Sequence, residues 1–286
     1  MSKSNRGTIK SCNCQILAHY KFEGDQYILT IESEEIAKLT LPGQFVHVTV
    51  SDSISLRRPI SIMSVDIENS TFDLLYKVVG EGTRKLSESR VGEKLSIIGP
   101  IGNGFNLTNK KLPLLIGGGV GMPPMIAIAQ QIKDNGHYDP LVILGSEVPF
   151  PFTPEKSNIG PLCDRVTHTM PLLEEWGIAC RLTSMQGFDG VFNGYVTDLA
   201  REYLDDLSKS ELSQVEIFSC GPHQMLESVA SLAVEYNLPC QVSLEEFMAC
   251  GVGGCAGCVV EAKIDNIKHM KRVCVDGPVF NSRDIF

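Results

Sequence analysis

LPLLIGGGVGMPPMIAIAQQIK, residues 112–133, starts as an apolar strand, breaks into glycines and resumes as an apolar helix. A membrane span needs roughly 20 mostly apolar residues in one unbroken helix. Gly117, Gly118, Gly119, Gly121, Pro123 and Pro124 interrupt this stretch, and no such helix survives them. It is read instead as a strand (Leu112–Ile116), a tight turn and a helix (Pro124–Lys133), the entry to a dinucleotide-binding unit. Pro124 stands where the third glycine of G-x-G-x-x-G would fall. Proline is compatible with a first helical turn, where its missing N–H would be unpaired anyway. Gly118, Gly119 and Gly121 are therefore candidate nucleotide-binding residues.

The same rhythm continues downstream with a strand (Leu141–Leu144), a helix (Tyr195–Leu204), a strand (Val215–Ser219) and a helix (Pro222–Tyr236). Strands alternating with helices predict a parallel sheet. Cys220-Gly221-Pro222 repeats the strand–turn–helix pattern, which puts these three residues at the carboxyl edge of the sheet, where α/β folds bind ligands. A packed thiol at a tight turn is the alternative.

Upstream, residues 12 to about 108 are β-rich. Runs of β-formers at Tyr27–Ile31, Phe45–Val50, Ile60–Val65, Thr71–Val79 and Lys94–Ile98 are separated by turn signals such as Pro42-Gly43 and Gly80-Glu81-Gly82, predicting a small antiparallel barrel. Within it, Arg58-Pro59-Ile60-Ser61 carries an arginine able to bridge two phosphates bidentately, and a serine hydroxyl two residues beyond the rigid proline. That combination suits FAD; a solvated strand end is the other reading. Gly82 and Thr83 form a glycine turn with Thr83 as expected helix N-cap, and a helix start offers free N–H groups to a phosphate.

Ten cysteines in a chain of 286 residues require an explanation. Met1–Lys10 is polar and basic with no apolar run behind it, so no secretory signal is expected; in a cytoplasmic protein disulfides are rare. Cys12, Cys14, Cys163, Cys180 and Cys240 are read as small buried hydrophobes. Cys250, Cys255, Cys258 and Cys274 are different: C-x4-C-x2-C followed by a distant fourth cysteine is the plant-type [2Fe–2S] spacing. Gly251, Gly253, Gly254 and Gly257 between them let backbone N–H groups turn toward the sulfurs. Structural zinc sites usually bring two C-x2-C or C-x2-H pairs, and only Cys255–Cys258 is such a pair. A net charge of −9 argues against nucleic acid, whose phosphates require clustered lysine and arginine.

In order, these pieces resemble the ferredoxin–NADP reductase superfamily, and within it the electron transfer subunits of two-subunit, NAD-dependent dihydroorotate dehydrogenases. The matching stretches are LRRPISI (56–62), LYKVVGEGT (75–83), GPIGNGF (99–105), GGGVGMPP (117–124), GYVTD (194–198), SCGP (219–222) and the tail from Leu244 to Phe280. The resemblance implies a β-barrel plus α/β architecture: an FAD-binding barrel over residues 1–108, an NAD-binding α/β domain over 109–240 and a [2Fe–2S] module over 241–286. It implies FAD contacts at Arg58, Pro59, Ile60, Ser61, Leu75, Tyr76, Lys77, Gly82 and Thr83, and ligation of the cluster by Cys250, Cys255, Cys258 and Cys274. It also implies a catalytic partner subunit carrying its own FMN, two copies of each forming a heterotetramer.

One segment departs from the family pattern. Glu147 to Trp176, rich in proline, replaces a shorter connection and is expected to pack or to meet a partner, since long structureless loops are uncommon in compact domains. Glu147 is expected near the nucleotide ribose, where a carboxylate repels a 2′-phosphate and favours NADH over NADPH. No side chain is expected to act as a general base. His19, His47, His137, His168, His223 and His269 are isolated and read as surface or core residues. Phe247, Val252 and Val279 are expected to be exposed around the cluster. The rival readings are a sister reductase subunit of a hydrogenase, transhydrogenase or oxygenase, and a non-enzymatic iron–sulfur sensor.

Overall fold

The computed structural model describes residues 5–51, 54–160 and 165–286. Six antiparallel strands close into a barrel: β1 (Lys10–Phe22), β2 (Gln26–Glu32), β3 (Phe45–Val48), β4 (Arg58–Asp66), β5 (Thr71–Lys77) and β6 (Lys94–Ile101), in the order β1-β2-β5-β4-β3-β6. Side chains alternate across a strand, and the inward set here is apolar: Ile16, Leu29, Ile31, Val46, Val48, Ile60, Ile62, Phe72, Leu74 and Ile97 form one core. Two short helices, α1 (Glu34–Leu39) and α2 (Glu81–Ser87), add Ile36 and Leu86 to this core.

The longest strand, β1, is absent from the sequence-based reading. In KSCNCQILAHYKF only Cys14 and Ile16 are buried, and its register against β2 shifts between Ile16 and Ala18. No alternation survives to be read. Cys12 corrects another expectation: it is only half-buried, with its Sγ 2.8 Å from that of Cys14. Cys14, Cys180 and Cys240 are buried as expected, while Cys163 lies outside the described residues.

The chain continues through β7 (Leu112–Gly118), α3 (Met122–Ile132), β8 (Leu141–Gly145), β9 (Glu155–Lys156), β10 (His168–Thr169), α4 (Pro171–Glu175), β11 (Ala179–Thr183), α5 (Val196–Asp206), α6 (Lys209–Leu212), β12 (Val215–Cys220), α7 (His223–Glu235) and β13 (Cys240–Ser243), with β9 and β10 forming a small sheet of their own. Strands β11-β8-β7-β12-β13 run parallel. Every residue of β8 and β12 is buried, as expected for strands covered by helices on both faces. Beyond β13 the chain leaves the sheet, forms the hairpin β14 (Val259–Ile264) and β15 (Ile267–Arg272), and returns as β16 (Val279–Asn281), antiparallel to β13, before α8 (Ser282–Ile285). Residues 241–286 thus contain four strands or strand ends. Most of the hairpin is exposed, which erases the alternation that would have announced it.

The segment from Glu147 to Trp176 does pack. Within it, β9 pairs with β10 and α4 follows. The fully buried guanidinium of Arg181 on β11 donates to the carbonyls of Ile159 (2.7 Å) and Gly160 (2.6 Å) and to Ser157 Oγ (3.3 Å). The segment also reaches the barrel: Gln26 Nε2 donates to the Pro149 carbonyl at 2.7 Å, and Val148 fills the space beside Gly24.

The barrel and the sheet share an apolar layer in which Met63 and Leu75 meet Met122, Met125 and Ile126 of α3. Gln130 completes the joint: its amide accepts from Val65 N–H at 3.0 Å and donates to Val65 C=O at 2.8 Å. Gln130→Ala strands both backbone groups, and an unmet buried polar group costs about 1–3 kcal/mol. Denaturant unfolding of the variant should show a loss of that size.

Candidate functional site

Along β4 the isoleucines Ile60 and Ile62 point into the barrel, while Met63 joins the interdomain layer. Ser61, between these two inward isoleucines, faces the outside of the barrel by alternation, before the bulge at Met63. Tyr76 points the other way: it is buried, its hydroxyl lies 2.8 Å from His19 Nε2 and its ring stacks on Tyr27 at 5.3 Å. From Leu75-Tyr76-Lys77, therefore, the tyrosine side chain is committed to the barrel, and the half-buried Lys77 flanks it. Arg58 and Gly82, far apart in sequence, come together. A Cβ on Gly82 would sit 2.3 Å from Arg58 Nε and Nη2, so only glycine lets the guanidinium lie on the first turn of α2. Arg58 Nη1 donates to the Leu56 carbonyl at 2.6 Å. Arg57 is structural by contrast, donating to Ser96 O and Oγ at 2.7 and 2.8 Å.

Thr83 is not the N-cap of α2. Gly80 is, and Thr83, at the third helical position, accepts from Val79 and Gly80 N–H at 3.0 and 3.3 Å. The glycine-rich approach leaves Gly80 no side chain with which to cap, so the threonine reaches back instead. Arg58 and Gly82 thus meet as a cradle with one positive charge, next in sequence to Pro59 and Thr83, which fits a flavin dinucleotide's pyrophosphate.

At the carboxyl edge of the parallel sheet two turns touch. Added Cβ atoms would fall 2.4 Å from the Cys220 carbonyl at Gly121 and 2.4 Å from Met225 Sδ at Gly118. Gly119 takes φ +55°, and Pro123 and Pro124 sit in the first turn of α3. Gly118, Gly121, Cys220, Gly221 and Pro222 are accordingly brought into one patch. Cys220 itself is fully buried, and burial pushes its thiol well up. Glu147 follows β8 with its side chain exposed, and its carbonyl accepts from Gln186 Nε2 at 3.2 Å.

The four cysteines of the tail lie on one loop and its return. Gly254 N–H donates to Cys250 Sγ at 3.3 Å and Gly257 N–H to Cys255 Sγ at 3.4 Å, while the Cys258 and Cys274 sulfurs are 3.4 Å apart. The loop enters the left-handed region at Gly251, Gly253 and Ala256. Burial raises the Cys250 thiol, but N–H groups of Val252, Cys255 and Gly254 and the Cys255 side chain outweigh it and bring it down to about 6. Burial, the hydrogen bond to Cys258 and the negative charge expected on Cys258 and Cys250 push Cys274 up to about 12. Clustered cysteines that resist sharing negative charge, met by N–H donors, fit a site completed by bound iron. Among the described residues no three His, Cys, Asp or Glu side chains converge on a single metal ion. Cys255 is exposed while Cys258 and Cys274 are buried. Phe247 (94% exposed) and Val252 lie open nearby; Val279, expected with them, is instead half-buried in β16 against Gly43.

One residue near this loop, read from the sequence as a surface or core histidine, is a core residue. His47 is completely buried, and neither ring nitrogen has a hydrogen-bond partner. Burial first, then the charge of Arg57, holds its imidazole down to about 4. The readable signal was a lone polar residue in Phe45-Val46-His47-Val48, all four of which are buried.

A barrel with an arginine-and-glycine cradle, a nucleotide sheet and a thiolate loop defines an FAD-dependent oxidoreductase with an appended iron–sulfur module. Residues 14–105 match the oxidoreductase FAD-binding domain, and residues 245–286 match the iron–sulfur cluster binding domain of dihydroorotate dehydrogenase B. The chain is 32% identical over 95% of its length, and 96% of the relative's, to the electron transfer subunit of dihydroorotate dehydrogenase B (NAD(+)) from Caldanaerobacter subterraneus subsp. tengcongensis. It is 33% identical over 96% of its length, and 97% of the relative's, to the subunit of the same name from Desulforamulus reducens. The chain belongs to this family of electron transfer subunits. Among solved structures it superposes on an NADH-dependent reduced ferredoxin–NADP oxidoreductase with a TM-score of 0.78 and 26% identity, covering 96% of this chain and 90% of that one. The ferredoxin reductase of a carbazole 1,9a-dioxygenase shares the fold at a TM-score of 0.60 and 16% identity, covering 81% of this chain and 67% of that one.

Hydrogen bonds to charged groups are worth about 1.5–3 kcal/mol, so Arg58→Ala should weaken FAD binding by roughly 10- to 100-fold. Gly82→Ala, which displaces the same guanidinium without removing it, should act in the same direction. Flavin fluorescence titration of the two variants checks both; undiminished affinity in Arg58→Ala would return the arginine to a solvated strand end.

Proposed function

We propose that this chain is the electron transfer subunit of an NAD+-dependent dihydroorotate dehydrogenase, taking electrons from a catalytic FMN-containing partner and delivering them to NAD+ in pyrimidine biosynthesis. The observation that carries the reading is the joining, in one chain, of the Arg58–Gly82 cradle, the Gly118–Cys220 edge and the Cys250–Cys274 loop. When bound, FAD accepts electrons singly from a [2Fe–2S] cluster and gives them up in pairs as hydride to a nicotinamide.

The chain's own residues bind, orient and insulate. Arg58 answers the pyrophosphate charge, Ser61 and the Leu75–Lys77 backbone border the flavin, and Thr83 closes the turn beside the phosphates. Gly118, Gly119 and Gly121 let a nicotinamide nucleotide approach the sheet edge closely, with Cys220, Gly221 and Pro222 forming the facing wall. Cys250, Cys255, Cys258 and Cys274 hold the iron. Glu147 at the end of β8 supports NADH over NADPH, since a second phosphate there would meet a carboxylate.

Removing a proton from a carbon acid requires a base within about 2.6–3.2 Å of that proton, and we assign this step, the oxidation of dihydroorotate, to the partner. Phe247 and Val252, exposed in the stretch that runs through Cys250, suit an apolar docking face against that partner, and two copies of each subunit make a heterotetramer in the cytoplasm. No helix among the described residues is long and apolar enough to cross a membrane.

Cys255→Ser should abolish the [2Fe–2S] absorbance yet retain FAD, because the barrel closes without the tail. A preparation that contains zinc and never iron contradicts the reading. The isolated wild-type chain should reduce artificial dyes with NADH, more slowly with NADPH, and leave dihydroorotate untouched. Adding the FMN subunit should connect dihydroorotate to NAD+; dihydroorotate oxidation by this chain alone is the opposing result.

A further inference from the structure

His47 joins the two halves of the electron path. In β3 it pairs with Pro59 of β4, the centre of the Arg58–Ser61 stretch, and its carbonyl accepts from Arg57 Nη1 at 3.3 Å. Above its ring lies the cluster loop: a Cβ on Gly251 would fall 2.7 Å from His47 Nδ1, so the loop backbone rests on the imidazole itself. Gly251 reaches that position with φ +68°. Yet neither ring nitrogen has a hydrogen-bond partner, although the residue is 0% exposed. Buried polar groups are nearly always paired, and each exception calls for an explanation.

An apolar residue would fill the same space without an orphaned donor. Phe45, Val46 and Val48, its neighbours on the strand, are all apolar and all buried. An imidazole carries at least one N–H whatever its charge, and the backbone packed closest to Nδ1 is that of Gly251, next to Cys250.

We propose that His47 is a positioning residue of the electron path: its N–H locks the Cys250–Gly251 backbone against the flavin-binding strand when the cluster is in place, and so sets the potential at which the cluster accepts an electron. A donor aimed at the cluster loop stabilises the additional negative charge of the reduced state, which raises the potential. The proposal rests on the reading of the chain as an FAD and [2Fe–2S] protein, and goes beyond it by assigning a role to a residue outside the ligand set.

The test uses the FAD- and cluster-loaded chain with His47→Leu, which keeps the volume and loses the donor, and His47→Asn, which restores one near the Nδ1 position. FAD and iron contents are measured first in wild type and variants, so a failure of the functional reading shows there and a failure of the His47 proposal shows only afterwards. The midpoint potential and the electron paramagnetic resonance spectrum of the reduced cluster are then recorded. NADH-to-dye turnover at the flavin serves as control for an intact barrel. His47→Leu should shift the cluster's oxidised-to-reduced ratio at a fixed poise about tenfold toward oxidised, which is 59 mV for a one-electron couple, with an altered spectrum and unchanged dye turnover. His47→Asn should return both toward wild type. A fully loaded His47→Leu with wild-type potential and spectrum overturns the proposal. If His47→Leu does not retain FAD, His47→Asn decides: wild-type values support the role, and a displaced potential contradicts it.

Discussion

Asn103, in the loop after the last barrel strand, is the pin on which the arrangement turns. Its backbone N–H donates to the Gly277 carbonyl at 2.6 Å, and its side-chain amide donates to the carbonyls of Val275 and Asp276 at 3.1 and 3.0 Å. One barrel residue thereby satisfies three consecutive carbonyls immediately after Cys274. Gly102, next to it, leaves no room for a side chain because Pro278 packs at 2.3 Å from where a Cβ would be. The fourth thiol of the cluster loop is thus held by the barrel, while β13 and β16 fasten the two ends of the tail into the parallel sheet. Electron transfer between cofactors depends on a fixed separation, and these contacts would hold the cluster loop against the barrel.

Several features were legible because local chemistry alone dictates them. The glycines from 117 to 121 announce a turn, and the structure shows why no other residue fits at Gly118 and Gly121: sulfur, proline ring and backbone of the neighbouring turn stand within contact of the missing Cβ. The spacing of the four cysteines was readable for the same reason, since ligation of a small cluster imposes short intervals on the chain. Strands whose inner faces are continuously apolar, such as β8 and β12, were visible as runs. What escaped depends on distant partners. β1 is recognisable only once β2 and β6 lie against it, and the exposed hairpin β14–β15 has too few buried residues to show a period. Thr83 was given the wrong place in its helix because capping was read from residue type, while the geometry lets its hydroxyl reach back to Val79 and Gly80.

The charges explain where flexibility is excluded. Arg58 and Arg57 are adjacent, yet Arg57 is spent on Ser96 across the barrel, and Arg58 is left against the backbone of Gly82. Two neighbouring arginines would otherwise repel; anchoring one fixes the other's approach. Arg181 plays the equivalent structural part in the second domain, where its buried guanidinium gathers the carbonyls of the long 147–176 segment. That segment in turn holds the barrel through Pro149 and Val148, a second joint between barrel and sheet besides the Gln130–Val65 pair.

The central claim is that this one chain connects a nicotinamide nucleotide, a flavin and a two-iron cluster. Anaerobic titration of the purified, fully loaded chain with NADH, followed by visible absorbance and by electron paramagnetic resonance of the same samples, addresses it most directly. The account predicts bleaching of the flavin bands together with the appearance of a reduced [2Fe–2S] signal approaching one spin per chain. Flavin bleaching with no cluster signal, or a chain that carries no iron, would contradict it.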